Sequence, residues 1–195
     1  DRGVHAYEQS AHFDCKKKIL NISKLIKSLN FFLNKKEISV LRIREKSNHF
    51  HARHSAKKRS YIYLIRNNIS PSVINKYRAW HITKDLDILL LKKGAKMFEG
   101  THDFSTFRAS NCSAKSPIKT IYSIQVKKNR DLISIKFVSR SFLKSQVRSM
   151  VGCLKYLAEK KWTKKKFERS FNSKKRENCA PLAPPHGLYL AKITY

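Results

Sequence analysis

The residues best equipped for chemistry open the chain: Asp1-Arg-Gly-Val-His-Ala6, followed by Gln9-Ser-Ala-His-Phe13. An ionised carboxylate can act as a nucleophile on an electrophilic carbon. Asp before Gly is also an ordinary turn signal, because Asx side chains bond their own backbone. Taken alone, Asp1 therefore reads as a turn residue. Two other residue types would change that. An arginine beside a buried carboxylate keeps it ionised, since the opposite charge favours the charged form. A tyrosine supplies a flat wall for a base and a hydroxyl for proton transfer. Tyr61 opens Tyr61-Ile-Tyr63, and Arg148 lies within Phe142-Leu-Lys-Ser-Gln-Val-Arg-Ser-Met-Val-Gly152. Each also has a plain structural reading. Tyr61 sits among aromatic and β-branched residues that suit any sheet. Arg148 shares a stripe with Lys144 and Gly152, spaced as on a solvated basic helix face.

Charge narrows the class of partner. The 195 residues hold 43 Lys and Arg against 13 Asp and Glu, a net charge of +30. Such a charge attracts a polyanion, and nucleic acid is the commonest one. Part of the excess reflects a Lys-, Ile- and Asn-rich composition of the kind an AT-rich genome encodes. Lys57, Lys58 and Arg59 are candidate phosphate contacts, and Arg108 is a further RNA-binding candidate. Lys164, Lys165 and Lys166 share the pattern with weaker support.

Other chemistries find less footing. His49, His51 and His54 cluster, and His49 and His51 could converge on one strand face, but no third ligand with metal spacing follows, so no metal is expected. Cys15, Cys112, Cys153 and Cys179 contain no C-x-x-C and fit scattered, reduced thiols in a cytoplasmic protein. The longest apolar run, 88–91, is far short of the ~20 residues of a membrane helix. The first residue is Asp rather than Met, and no signal peptide is expected. The chain reads as a fragment of a longer product.

With 41% hydrophobic and 11% aromatic residues, a core can form to position these groups. Periodicity predicts strands at 9–13, 38–44, 61–65, 121–127, 132–139 and 188–195. Helices are predicted at 19–33, 86–98, 141–160 and 163–171, the second capped by Thr83 or Asp85. A loop is expected over 101–117, a hairpin turn at Asn129-Arg130-Asp131 and a Pro-rich loop over 180–187. This order suggests an α+β protein with a mostly antiparallel sheet. Strand–strand–helix–strand is part of the ferredoxin-like pattern. A boundary within 83–103 would divide the chain into 1–83 and 84–195.

The ordered set of motifs carries a resemblance. Beyond the opening segment come Phe50-His-Ala-Arg53, His54-Ser-Ala56, Lys57-Lys-Arg-Ser-Tyr-Ile-Tyr63, Gly100-Thr-His-Asp-Phe-Ser-Thr-Phe-Arg108, the Phe142–Gly152 segment and Gly187-Leu-Tyr-Leu190. Together they resemble the tRNA pseudouridine synthase A family, whose pattern opens Gly-Arg-Thr-Asp-x-Gly-Val-His-Ala. The resemblance spans the whole chain. It implies isomerisation of uridine to pseudouridine in the anticodon stem-loop of tRNA, without cofactor or metal, by a cytoplasmic homodimer. It implies that Asp1 is the nucleophile, that Tyr61 stacks on the uracil and that Arg148 pairs with the nucleophile. Whether the carboxylate attacks base or ribose stays open. The implied fold has ferredoxin-like halves, here lacking an N-terminal strand and helix; residues 1–83 are then the remainder of an N-terminal catalytic half. Glu8 stands where the family usually has Gly, and Ser145-Gln146 where it has His-Met. A second reading is a tRNA-binding remnant or paralogue, folded but inactive. A third is a structural or ribosomal nucleic-acid-binding protein, which the ordered motifs disfavour.

Overall fold

The computed structural model describes residues 2–16, 19–74 and 76–195. The chain forms two units: one joins the segment up to Gln9 with Ala56–Tyr195, and the other is Ser10–Ser55.

The first unit is built on one sheet. Its strands are β1 (His5–Ala6), β2 (Lys58–Asn67), β3 (Trp80–Ile82), β4 (Gly100–Asp103), β5 (Ile118–Asn129), β6 (Leu132–Ser139) and β7 (Leu188–Thr194). They lie in the order β1-β7-β2-β6-β5-β4, with β3 also paired to β2. The β2–β6, β2–β7, β4–β5 and β5–β6 pairs are antiparallel; β1–β7 and β2–β3 are parallel. The protein is thus α+β with a mostly antiparallel sheet. β5 and β6 form the expected hairpin, turning through Arg130 at φ 53.

Helices cover one face of this sheet. They are α2 (Ile88–Lys96), α3 (Gln146–Ala158) and α4 (Lys164–Asn172). α2 is capped by Asp87, which accepts from the Leu90 amide, rather than by Thr83 or Asp85. α3 begins later than its apolar period suggests. Ser145 has φ 63, a left-handed conformation that no α-helix can contain. Ser139 Oγ also ties the preceding turn by donating to Ser141 O at 2.8 Å. Tyr63, Ile65, Ile135 and Phe137 from the sheet pack with Met150 and Leu154 of α3 in one core. Phe98, Phe104, Phe107 and Phe171 extend it, with ring centroids 5.1 Å apart for Phe98–Phe107 and 5.7 Å for Phe104–Phe171. Cys153 and Cys179, far apart in sequence, bring their free thiols to 3.6 Å.

Two predicted strands do not form. Residues 9–13 have no regular structure. The ladder on β7 ends just before them, because the amides of Tyr7 and Glu8 converge on the one carbonyl of Leu190. Residues 38–44 are irregular as well. There Asn30 takes the place of a neighbouring strand: its side chain bonds both the amide and the carbonyl of Val40, at 2.6 and 3.0 Å. Within the predicted loop 101–117, in contrast, β4 pairs with β5, and the Thr101 and Thr120 hydroxyls meet at 2.7 Å. The Ser10–Ser55 unit holds α1 (Ile22–Leu33), capped by Asn21, and no residue of α1 is buried.

Candidate active site

Strand alternation sends Tyr61, Tyr63 and Ile65 of β2 to the helix-covered face. Tyr63 is fully buried. Its hydroxyl donates to Pro184 O at 2.8 Å. Tyr61 is half-buried, its ring edge-on to Phe142 at 5.2 Å. The β2–β7 register slips beside it: Ser60 faces Lys192, but Tyr61 faces Leu190, so Ala191 is an extra residue. Such bulges re-aim side chains and recur next to active sites. Burial raises the Tyr61 pKa, against the pull of Arg59. At neutral pH Tyr61 therefore keeps its proton.

Arg148 does not lie on a solvated helix face. It is half-buried, and its Nε donates to Ala183 O at 2.8 Å. The Ala183 amide returns a bond to Arg148 O at 3.3 Å. Burial lowers the Arg148 pKa, partly offset by Tyr63. Tyr63 in turn is pushed up by burial and eased by Arg148. The two side chains therefore sense each other, which brings Arg148 into the neighbourhood of the Tyr61-Ile-Tyr63 strand.

The Pro-rich loop 180–187 gathers these groups. Ala183 holds Arg148 and Pro184 accepts from Tyr63. A Cβ on Gly3, at φ 82, would stand 3.1 Å from Pro185 Cγ. A Cβ on Gly187 would stand 2.7 Å from Tyr63 Cζ, so only glycine allows that approach. His186 sits in the same loop, its pKa lowered by burial and by the charges of His5 and Arg148. Tyr63, His186 and the loop itself were not expected as site components. Proline density, which fixes φ and stiffens a loop, was the available signal. Asp1 lies outside the described residues.

The expected phosphate contacts are spread out. Lys57 and Lys58 are exposed at the start of β2; Lys58 Nζ is 5.9 Å from the Tyr122 ring centre. Arg59 donates to Arg140 O at 2.7 Å. Arg108 Nη2 donates to Cys112 O and Ala114 O, at 2.9 and 2.7 Å, and so holds its own loop. Among the described residues no three His, Cys, Asp or Glu side chains come together to hold a metal. None of the described helices is long and apolar enough to cross a membrane.

Comparison with known proteins adds the family. Residues 95–195 match the family model described as tRNA pseudouridine synthase. Over all 195 residues the chain is 61% identical to tRNA pseudouridine synthase A of Pelagibacter ubique, covering 79% of that protein. The proteins of the same name from Parvibaculum lavamentivorans and Afipia carboxidovorans are each 40% identical, with the same coverage. The chain belongs to the tRNA pseudouridine synthase family. As a member of that family it is an isomerase, and tRNA is the substrate that membership implies. The family match begins at Ala95 and so takes in Arg148 and the 180–187 loop.

Proposed function

We propose that this synthase chain isomerises uridines in the anticodon stem-loop of tRNA, with Asp1 as nucleophile. The N1–C1′ bond breaks, the uracil turns and C5 bonds to C1′; the proton on C5 leaves and N1 gains one. Asp1 forms a covalent adduct, on base or ribose, that splits one hard step into two. Arg148 keeps that carboxylate ionised. Tyr61 stacks on the detached uracil, which must first leave its helical stack at a cost of a few kcal/mol. Lys57, Lys58, Arg59 and Arg108 contact phosphates, Arg108 while also holding its loop. The same reading carries a homodimer acting in the cytoplasm.

The observation that best supports this is the loop shared by two of the segments. Gly3, two residues from Asp1, packs on Pro185, and Arg148 bonds Ala183 two residues before it. Incubation with an unmodified tRNA transcript, followed by detection of pseudouridine, tests the proposal. Product is expected from the wild-type chain and none above background from Asp1→Asn. Product unaffected by Asp1→Asn would overturn the nucleophile. Tight tRNA binding without any product would favour a binding remnant instead.

A further inference from the structure

The face of the sheet away from α3 holds a second cluster. β7 pairs with β2 as far as Tyr63, opposite Leu188, and β3 takes over from Ile65, opposite Trp80. A cavity of about 240 Å³ opens where the neighbour changes, lined by Leu64, Leu132, Tyr7, Tyr189, Arg66 and Arg78. Leu64 and Arg66 alternate with Tyr63 and Ile65, so the cavity and Tyr61 are on opposite faces of β2.

Its contents suit a nucleotide. His5, Tyr189 and Tyr7 form a column of rings. Tyr189 stacks on His5 at 4.7 Å and 21°, and on Tyr7 at 5.0 Å and 16°. The column ends in Tyr7, which is 56% exposed. Tyr189 OH donates to Arg78 O at 2.5 Å, which fixes the Arg78 backbone against the column. Arg66 pairs with Asp131 through Nη1, while its Nε is buried without a hydrogen-bond partner. An unmet donor of this kind favours any acceptor that arrives. By register, Lys127 and Lys136 share this face, opposite Ser134 and Ile62, and both are exposed. Asp131 and Arg66 neutralise each other, so Arg66 offers the cavity a hydrogen-bond donor, while the net positive charge comes from Arg78 with Lys127 and Lys136 nearby.

We propose that this cavity is a second RNA contact, which takes one unpaired nucleotide of the tRNA with its base on Tyr7 and its phosphate on Arg66 and Arg78. Aromatic stacking tolerates any base, and paired arginines with nearby lysines suit a backbone phosphate. The identity of the RNA rests on the function proposed above; the chemistry of the cavity does not.

Binding of an unmodified tRNA transcript, followed by fluorescence anisotropy across a salt series, tests it. Tyr7→Ala is expected to weaken binding about tenfold, and Tyr7→Phe to retain it. Arg78→Gln is expected to lower the salt slope by about 1. Both residues are exposed, so circular dichroism should show folded variants. Binding by Tyr7→Ala within about twofold of wild type would overturn the proposal, whatever Arg78→Gln does. Failure of the catalytic reading looks different: the wild-type chain would make no pseudouridine at saturating tRNA, and the binding series would still decide the cavity.

Discussion

α1 and α3 carry similar apolar stripes yet live in opposite surroundings. α3 buries ten of its residues between the sheet and the 180–187 loop, Met150, Val151 and Leu154 among them. α1 has its stripe, but Leu25, Ile26, Leu29 and Leu33 on it are only half-buried, Phe31 and Phe32 off it are exposed, and nothing on the helix is fully buried. A helical period reports that one face could be covered, not that something covers it. The same divide runs through the strands. Those that find a ladder in the first unit form, whereas 38–44 forms none and is held at Val40 by the side chain of Asn30. Burial, rather than pattern, separates the two units.

That contrast can be broken at several points. The largest effect is expected at Phe98, fully buried among aromatic rings: Phe98→Ala should cost about 3–5 kcal/mol in denaturant unfolding. Gly152→Ala comes next. Its Cβ would fall 2.2 Å from Pro181 O, so the loop holding Arg148 must move. A loss of about 1–3 kcal/mol is expected, together with a drop in turnover that stability alone does not explain. A smaller effect separates the units by pH. Lost hydration, then the charges of His54 and His12, holds the His51 pKa below its usual value. The unfolded chain therefore binds that proton better, and the contribution to stability is lost as pH falls below about 6.5. In the first unit the Ser105 hydroxyl holds the Asp103 pKa down, so its contribution persists until pH falls below about 4. After correction for the intrinsic slowing of exchange by acid, amide protection should fall in Ser10–Ser55 first on acidification, and His51→Gln should remove that step. The smallest effect is expected for Phe31→Ala, within about 0.5 kcal/mol. A loss there matching Phe98→Ala would erase the distinction between the units.

Much of this architecture can be read from residue order, and the gaps have physical causes. The helices at α2 and α4 follow their apolar periods because each is packed on that face. β4 escapes notice because Gly-Thr-His-Asp has no apolar alternation; its pairing with β5 makes it a strand. β3 is only Trp80–Ile82 and exists through β2. Tyr61 and Arg148 were legible as candidates through the motifs around them. Tyr63, whose hydroxyl bonds the 180–187 loop, was hidden by being the second of two similar tyrosines. His186 and the 180–187 hub depend on contacts across the whole chain, such as Ala183 with Arg148, that no local pattern encodes.

The place of β7 has a consequence for how the molecule assembles. The β5–β6 hairpin closes through a short turn and needs only local contacts, so it can form early. β7 comes far downstream of β2, yet it lies between β1 and β2 in the interior of the sheet. Until it is synthesised, β2 presents an open edge and β1 has nothing to pair with. The loop that gathers Arg148, Tyr63 and Gly3 immediately precedes β7, so these groups should come together only after β7 has left the ribosome, and a nascent chain stalled before Leu188 should expose a sticky strand edge.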